Sequence, residues 1–136
     1  MTLDDREFDT AVRRAMRKFD LTVDEVREDE RSYLLSNDDC ILDIWPVSDR
    51  VYAVCASLAS SSMIRKDYHM DPYRFYVAMS KRLPFFSMKL DKEGIVYSVL
   101  TDSSGDMVDD ISECILVSKM FYGLFDDVVR DVKSKS

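Results

Sequence analysis

The sequence predicts an α+β domain in which one antiparallel sheet packs against helices. Strand-like segments in residues 21–62 are separated by polar turns about every eight to twelve residues, which is typical of an antiparallel meander. An apolar-striped segment over residues 108–132 predicts a long C-terminal helix. The predicted order is an N-terminal helix, an antiparallel sheet of about five to six strands that includes a late β-hairpin, a middle helix before that hairpin, and the long C-terminal helix.

The late hairpin is predicted from two runs rich in β-branched and aromatic residues. Residues 85–90 and 95–100 flank a polar connection at residues 91–94. Pro84 cannot donate a ladder hydrogen bond, so we place it before the first strand. Gly94 closes the connection, where we expect a positive φ to cost least.

The remaining elements are predicted from the spacing of apolar residues and from turn and capping residues. Residues 3–19 predict an amphipathic helix, since apolar residues recur at helical spacing at Phe8, Val12, Ala15, Met16 and Phe19. The meander is predicted to contain a short edge strand near residues 21–26 and strands at 32–36, 40–47 and 51–58. Asp71 and Pro72 form a cap and first-turn proline for the middle helix, which Pro84 ends.

The C-terminal helix is predicted to begin with a cap at Ser104 or Asp106 and to carry an unusually wide apolar arc. Two accounts fit this arc: the helix is wedged between the sheet and the N-terminal helix, or one stripe contacts a second protein. Gly123 within the helix fits either close packing of a neighbouring element or a dimer crossing point. The second account predicts a protein interface formed by Ile115, Phe121, Tyr122 and Phe125.

Length and charge restrict the function classes. The 136 residues suit a single domain over positions 1–136, and a net charge of −7 argues against nucleic-acid binding. Residues 62–92 are an exception, because seven basic and three acidic side chains make this stretch +4. It fits a patch for an acidic partner, although a solvated helix face is the favoured interpretation.

No residue pattern points to a reaction. Cys40, Cys55 and Cys114 lie in apolar runs without metal-ligand spacing, which predicts buried free thiols in a reducing cytoplasm. His69, the single histidine, has no nucleophile in a recognisable pattern beside it. We also find no signal-peptide pattern and no apolar run long enough to span a bilayer. The chain is therefore predicted to be a cytoplasmic non-enzyme with no catalytic residue, no cofactor and no metal.

The run from Asp71-Pro72 through Leu83-Pro84-Phe85, the turn at residues 91–94 and the acidic start of the final helix resemble the type III secretion chaperone-like fold. Within that fold, the chain is most similar to the YbjN-type family of proposed bacterial sensory transduction regulators. The resemblance implies a small, acidic, cytosolic homodimer that binds an extended segment of another protein. It implies no catalytic residues.

The leading hypothesis is therefore a non-enzymatic protein-binding module, chaperone-like or regulatory, that acts as a homodimer and has a protein partner. The alternative is a small-molecule-binding domain or small enzyme with a pocket between sheet and helices, suggested by Tyr73, Tyr76 and Met79. A third possibility, a structural subunit of a larger complex, has the same sequence features as the first.

Overall fold

The computed structural model describes residues 4–48, 50–102 and 107–135. It confirms the α+β architecture, with an N-terminal helix, a six-stranded antiparallel sheet, two middle helices and a long C-terminal helix. In chain order the elements are α1 Asp4–Phe19, β1 Thr22–Arg27, β2 Ser32–Ser36, β3 Ile41–Ser48, β4 Val51–Ser60, α2 Ser61–Tyr68, α3 Pro72–Arg82, β5 Lys89–Leu90, β6 Gly94–Asp102 and α4 Met107–Ser134.

The sheet has the strand order β1-β2-β3-β4-β6-β5, and every neighbouring pair is antiparallel. Its register aligns apolar side chains across the central strands, with Leu42 opposite Ala56 and Ile44 opposite Val54. Because side chains alternate along a strand, these residues form one inner face. The inner face comprises Tyr33, Leu35, Leu42, Ile44, Tyr52, Val54, Ala56, Leu58, Ile95, Tyr97, Val99 and Thr101.

The helices cover the inner face. The Phe8 ring of α1 stacks on Tyr52 at 4.3 Å between centroids, and the Tyr97 hydroxyl donates a 2.7 Å hydrogen bond to the Glu113 carboxylate of α4. Helix α4 contacts β4, β6, α1 and α3, so it occupies the centre of the helical layer. Phe75 of α3 and Phe121 of α4 are fully buried between these elements. The core therefore lies between the sheet and α4.

Local signals place most element boundaries. Helix α1 buries Phe8, Val12 and Ala15, as its stripe predicts. The Asp71 carboxylate accepts a hydrogen bond from the Tyr73 amide at the start of α3, and Pro72 occupies the first turn. The sequence predicts only one middle helix and assigns no element to residues 63–69; the structure adds α2, which contains most of these residues and ends at the C-cap His69.

The predicted first arm of the hairpin is wrong in length. Strand β5 has two residues, whereas residues 85–90 were expected to be extended. The Phe86 amide donates to the Leu83 carbonyl at 3.2 Å, and the Met88 amide donates to the Phe86 carbonyl at 3.1 Å. These turns use backbone groups that a longer strand would have directed into the sheet, and Phe85 is left 91% exposed.

Gly94 serves a different purpose from the predicted one. None of the described glycines has a positive φ, so Gly94 does not supply a left-handed turn residue. Instead, a Cβ at this position would lie 2.0 Å from the Ala59 carbonyl oxygen, where β6 approaches an irregularity in β4. Glycine is required here for close backbone approach.

Helix α4 extends slightly beyond the predicted residues 108–132 at both ends. Its predicted caps, Ser104 and Asp106, lie outside the described residues. No helix in the described parts of the chain combines the length and apolarity needed to cross a membrane.

Candidate functional site

The wide apolar arc of α4 is used largely inside the monomer. Ile111, Cys114, Val117, Phe121 and Val128 are fully buried. The remaining residues of the arc are buried or half-buried, apart from the exposed Tyr122; they are Val108, Ile115, Leu124, Phe125 and Val129. The arc is wide because α4 packs against the sheet, α1 and α3 at once. Beside this arc, Leu116 and Met120 of α4 are exposed.

The four predicted interface residues fall into two pairs. Phe121 is completely buried and Ile115 is 9% exposed, so neither side chain is available to a partner at the monomer surface. Tyr122 is 40% exposed, and Phe125 is half-buried beside it. The structure brings Tyr122 and Phe125 together at one groove, and the interface prediction narrows to these two residues.

This groove, which we call the carboxylate-rimmed groove, lies where α2, α4, the end of β4 and the start of β6 meet. It encloses about 670 Å³ and is mostly apolar. The lining also includes three acidic residues, Asp91 and Glu93 of the β5–β6 turn and Asp126 of α4. Its lining comprises Ile41, Ser57, Leu58, Ala59, Ser60, Met63, Tyr68, Asp91, Glu93, Gly94, Ile95, Val96, Tyr122, Phe125 and Asp126.

Aromatic contacts fix the helical wall of the groove. The Phe125 ring packs against Tyr68 at 5.0 Å between centroids and against Phe75 at 4.9 Å. The Tyr122 hydroxyl donates a 3.3 Å hydrogen bond to the Ser57 carbonyl, which joins α4 to the sheet. Because these contacts hold the rings in place, the groove is formed without a ligand.

The β5–β6 turn forms the opposite rim of the groove. One Asp91 carboxylate oxygen accepts hydrogen bonds of 2.9 Å from the amides of Glu93 and Gly94. The Ser61 amide donates to the Glu93 carbonyl at 2.8 Å, so this turn is tied to the start of α2. Local side-chain and backbone bonds therefore determine the shape of this rim.

A second surface feature is the outer face of the sheet, away from the helices. Trp45, Ala53 and Leu100 lie side by side on β3, β4 and β6. Leu100 is 67% exposed, which makes it one of the most exposed large apolar side chains among the described residues. An Arg27–Asp43 ion pair of 3.0 Å crosses the neighbouring part of this face. The outer face thus combines an apolar row with a polar one.

The apolar row adjoins an open strand edge. Among the described residues, β5 pairs only with Ile95 and Val96, whereas β6 continues to Asp102. The Asp91 amide donates to the Gly94 carbonyl, so Gly94 directs its backbone groups towards β5. Because this direction alternates along an antiparallel strand, Ser98 and Leu100 direct their N–H and C=O groups towards the open edge.

The other edge of the sheet is different. Strand β1 carries an irregularity between Val23 and Glu25, and it presents the exposed charges Asp24 and Glu25. Irregularities and charges are the usual means by which proteins prevent pairing at an edge. Strand β6 has no irregularity at Ser98 and Leu100, and its exposed charge, Asp102, lies at its end.

The basic stretch at residues 62–92 forms part of a separate groove of about 490 Å³. The seven basic side chains of residues 62–92 are all exposed, which agrees with a solvated surface. Arg74, Lys81 and Arg82 of α3 line this second groove together with Asp131 of α4 and Lys135, which follows α4. Apart from the Asp131–Lys135 pair at 3.5 Å, the described residues show no salt bridge there.

The three residues from which a pocket was predicted, Tyr73, Tyr76 and Met79, do not lie at one site. Tyr73 lines the second groove, whereas Met79 is fully buried in the core. The Tyr76 hydroxyl donates a 2.8 Å hydrogen bond to the Met88 carbonyl and so positions the chain before β5. The carboxylate-rimmed groove was missed because its residues come from five separate helices and strands and from the β5–β6 turn.

The titratable groups favour structural roles. Burial raises the pKa of Cys40 and Cys55 to about 11, and that of Cys114 to about 12, so these thiols are protonated at neutral pH. Burial and the hydrogen bond to Glu113 raise the pKa of Tyr97. His69 is exposed and adopts the left-handed conformation that ends α2. The described residues contain no group of His, Cys, Asp and Glu side chains that could hold a metal ion.

Comparisons with protein-family models, with curated proteins and with solved structures find no match to this chain. The likeness to the type III secretion chaperone-like fold and to the YbjN-type family therefore stays a proposal.

Proposed function

We propose that this chain is a non-enzymatic, cytoplasmic protein-binding module that adds an extended segment of a protein to the open edge of β6. The observation that supports the proposal is the pair of edge residues Ser98 and Leu100, whose backbone groups have no neighbouring strand among the described residues. Strand addition satisfies such groups, while side-chain contacts beside the strand supply specificity.

The outer face supplies those side-chain contacts. An added strand would place alternate side chains beside Leu100, in line with Ala53 and Trp45. Burial of apolar surface contributes about 25 cal/mol per Å², so an exposed leucine at the end of an apolar row favours an apolar partner side chain. Chaperone-like or regulatory binding of an extended segment fits this geometry.

A homodimer is the form of the proposal that needs no other protein. Two β6 edges can pair antiparallel about a two-fold axis, with Leu100 opposite its own copy. A pairing centred at Leu100 also keeps the second copy away from β5, which ends opposite Val96. The two sheets would then be continuous across the dimer.

The test compares two leucines of similar exposure. Leu100→Lys places a charge on the edge, whereas Leu116→Lys changes a 51% exposed leucine on α4, away from the sheet. We expect sedimentation equilibrium to show self-association for the wild type and for Leu116→Lys, and a monomer for Leu100→Lys. Selection of binding peptides from a displayed library of short linear peptides, repeated with the wild type and both variants, tests whether the edge also pairs with segments of other proteins.

The strand-addition proposal would be overturned by a wild type that stays monomeric and selects no peptide. Equal effects of the two lysine variants would also contradict it, because a general effect of added charge would then explain the result. Circular dichroism and thermal unfolding check that both variants fold.

The carboxylate-rimmed groove favours a second candidate function, the binding of a small molecule. Its volume of about 670 Å³ lies within the range of roughly 300–1,000 Å³ that is usual for ligand sites. A mostly apolar lining with a few polar groups is also typical of such sites. Thermal shift measurements with a metabolite library test this function, since a specific ligand raises the melting temperature with concentration.

A further inference from the structure

The charge of the carboxylate-rimmed groove has one sign. Its lining includes Asp91, Glu93 and Asp126, and none of its described lining residues is lysine, arginine or histidine. All three acidic residues are exposed. Carboxylates gathered around a concave apolar surface produce a negative potential that attracts cations and repels anions.

We propose that this groove binds a small organic cation, an ammonium group carried on an aromatic or aliphatic body. The proposal rests on the second candidate function, ligand binding, and specifies the class of ligand. The ammonium group would lie between the rim carboxylates, while the apolar body would lie against Leu58, Met63 and Ile95.

The aromatic wall favours a cation over a neutral ligand. Tyr68, Tyr122 and Phe125 all line the groove. A cation within about 6 Å of an aromatic ring centre is attracted by the negative charge of the ring face, and quaternary ammonium groups are commonly bound in this way. Aromatic rings and carboxylates therefore act in the same direction on a bound ammonium group.

The groove also needs little reorganisation before it binds. Phe125 is held between Tyr68 and Phe75, and Tyr122 is anchored to the Ser57 carbonyl. Asp91 is fixed by its hydrogen bonds to two amides of its own turn. A site that is already ordered loses less conformational entropy on binding, so even a small ligand can bind measurably.

The test uses three probes that share a benzyl body and differ in charge: benzyltrimethylammonium, benzyl alcohol and phenylmethanesulfonate. Each is titrated into the isotope-labelled protein, and the amide resonances of Ala59, Gly94 and Tyr122 report on the groove. We expect saturable shifts at these amides with the ammonium probe, weaker shifts with the alcohol and none with the sulfonate. Added salt should weaken ammonium binding, because the rim carboxylates are exposed.

Neighbouring aspartates provide a matched pair of variants. Asp126 lines the groove, whereas Asp127 lies outside its lining and pairs with Arg130. We expect Asp126→Asn to weaken ammonium binding about threefold and Asp127→Asn to leave it nearly unchanged. Adding Glu93→Gln to Asp126→Asn should weaken binding about tenfold in total.

The outcomes separate the ligand class from the site. Groove shifts that are as strong with the sulfonate or the alcohol as with the ammonium probe would overturn the cation proposal and leave ligand binding intact. If no probe shifts the groove amides up to its solubility limit, both the cation proposal and the ligand-binding function fail at this groove. Equal weakening by Asp126→Asn and Asp127→Asn would also overturn the proposal, since net charge alone would then explain it.

Discussion

The same substitution at two glycines should change stability in opposite directions. Gly94→Ala introduces a Cβ that would lie 2.0 Å from the Ala59 carbonyl oxygen and 2.8 Å from the Ser60 Cα. Gly123→Ala introduces a Cβ with no heavy atom within 4 Å other than those of its own helix neighbourhood. The two variants therefore add the same methyl group to a closed site and an open site.

The expected magnitudes follow from these distances. The obstructing atoms at Gly94 belong to the backbone, so the chains of β4 and β6 must separate by more than about 1 Å, and we expect a loss of about 3 kcal/mol in the free energy of unfolding. Alanine in the middle of an exposed helix is more favourable than glycine by about 1 kcal/mol, so Gly123→Ala should stabilise. The variants should thus differ by about 4 kcal/mol.

Urea unfolding followed by circular dichroism measures both free energies, and equal m-values verify that the same surface is exposed on unfolding. A Gly94→Ala protein within about 1 kcal/mol of the wild type would refute the close approach of β4 and β6. A Gly123→Ala protein that is destabilised, in a way that depends on protein concentration, would instead place an α4 dimer crossing at that glycine.

Four further variants test the sheet edge, a buried thiol and a helix cap. Val99→Pro removes an amide that is directed at β4, so it should lower the free energy of unfolding by about 3 kcal/mol. Leu100→Pro removes an amide at the open edge and should lower it clearly less. Urea unfolding of both variants checks which edge of β6 is open. The pKa of Cys114, raised by burial from 9.0 to about 12, favours the protonated folded state, so this contribution to stability is complete below pH 9 and is lost as the pH rises towards 12; Cys114→Ala should flatten that alkaline decrease even if it lowers stability overall. Ser60→Ala should cost about 1 kcal/mol in thermal unfolding, since the Ser60 hydroxyl accepts the Met63 amide at 3.0 Å at the start of α2.

The elements that the sequence predicted well are those with local signals. The stripe of Phe8, Val12 and Ala15 specifies α1, and Asp71 with Pro72 specifies the start of α3. Strand β2 agrees with the prediction at both ends because turn residues bound it on either side. In each case the decisive interactions lie within a few residues of one another.

The elements that were predicted poorly depend on distant contacts. The shortness of β5 results from turns stabilised in part by the Tyr76 hydroxyl, which belongs to the preceding helix. Whether the apolar arc of α4 faces the core or a partner depends on how many elements surround it, which periodicity does not reveal. Phe121 and Phe125 look equivalent in sequence, yet only Phe125 lines the groove, because the groove forms where several elements that are distant in sequence meet.

The two edges of the sheet provide the strongest reason to expect a protein partner. Both edges border solvent in the described chain, so both risk unintended pairing, and selection for solubility alone would be expected to protect them alike. Both strands present charged and apolar side chains, since β1 carries Asp24 and Glu25 beside the exposed Val23 and Val26, and β6 carries Leu100 beside the exposed Asp102. The edges differ in backbone, because β1 is irregular between Val23 and Glu25 whereas the residues of β6 pair in unbroken order. An unprotected edge beside an exposed leucine is a liability unless another strand covers it for part of the protein's lifetime. This difference supports the proposed strand pairing at β6, and Leu100→Lys, which places a positive charge on the regular part of that edge, is the variant that separates binding from folding.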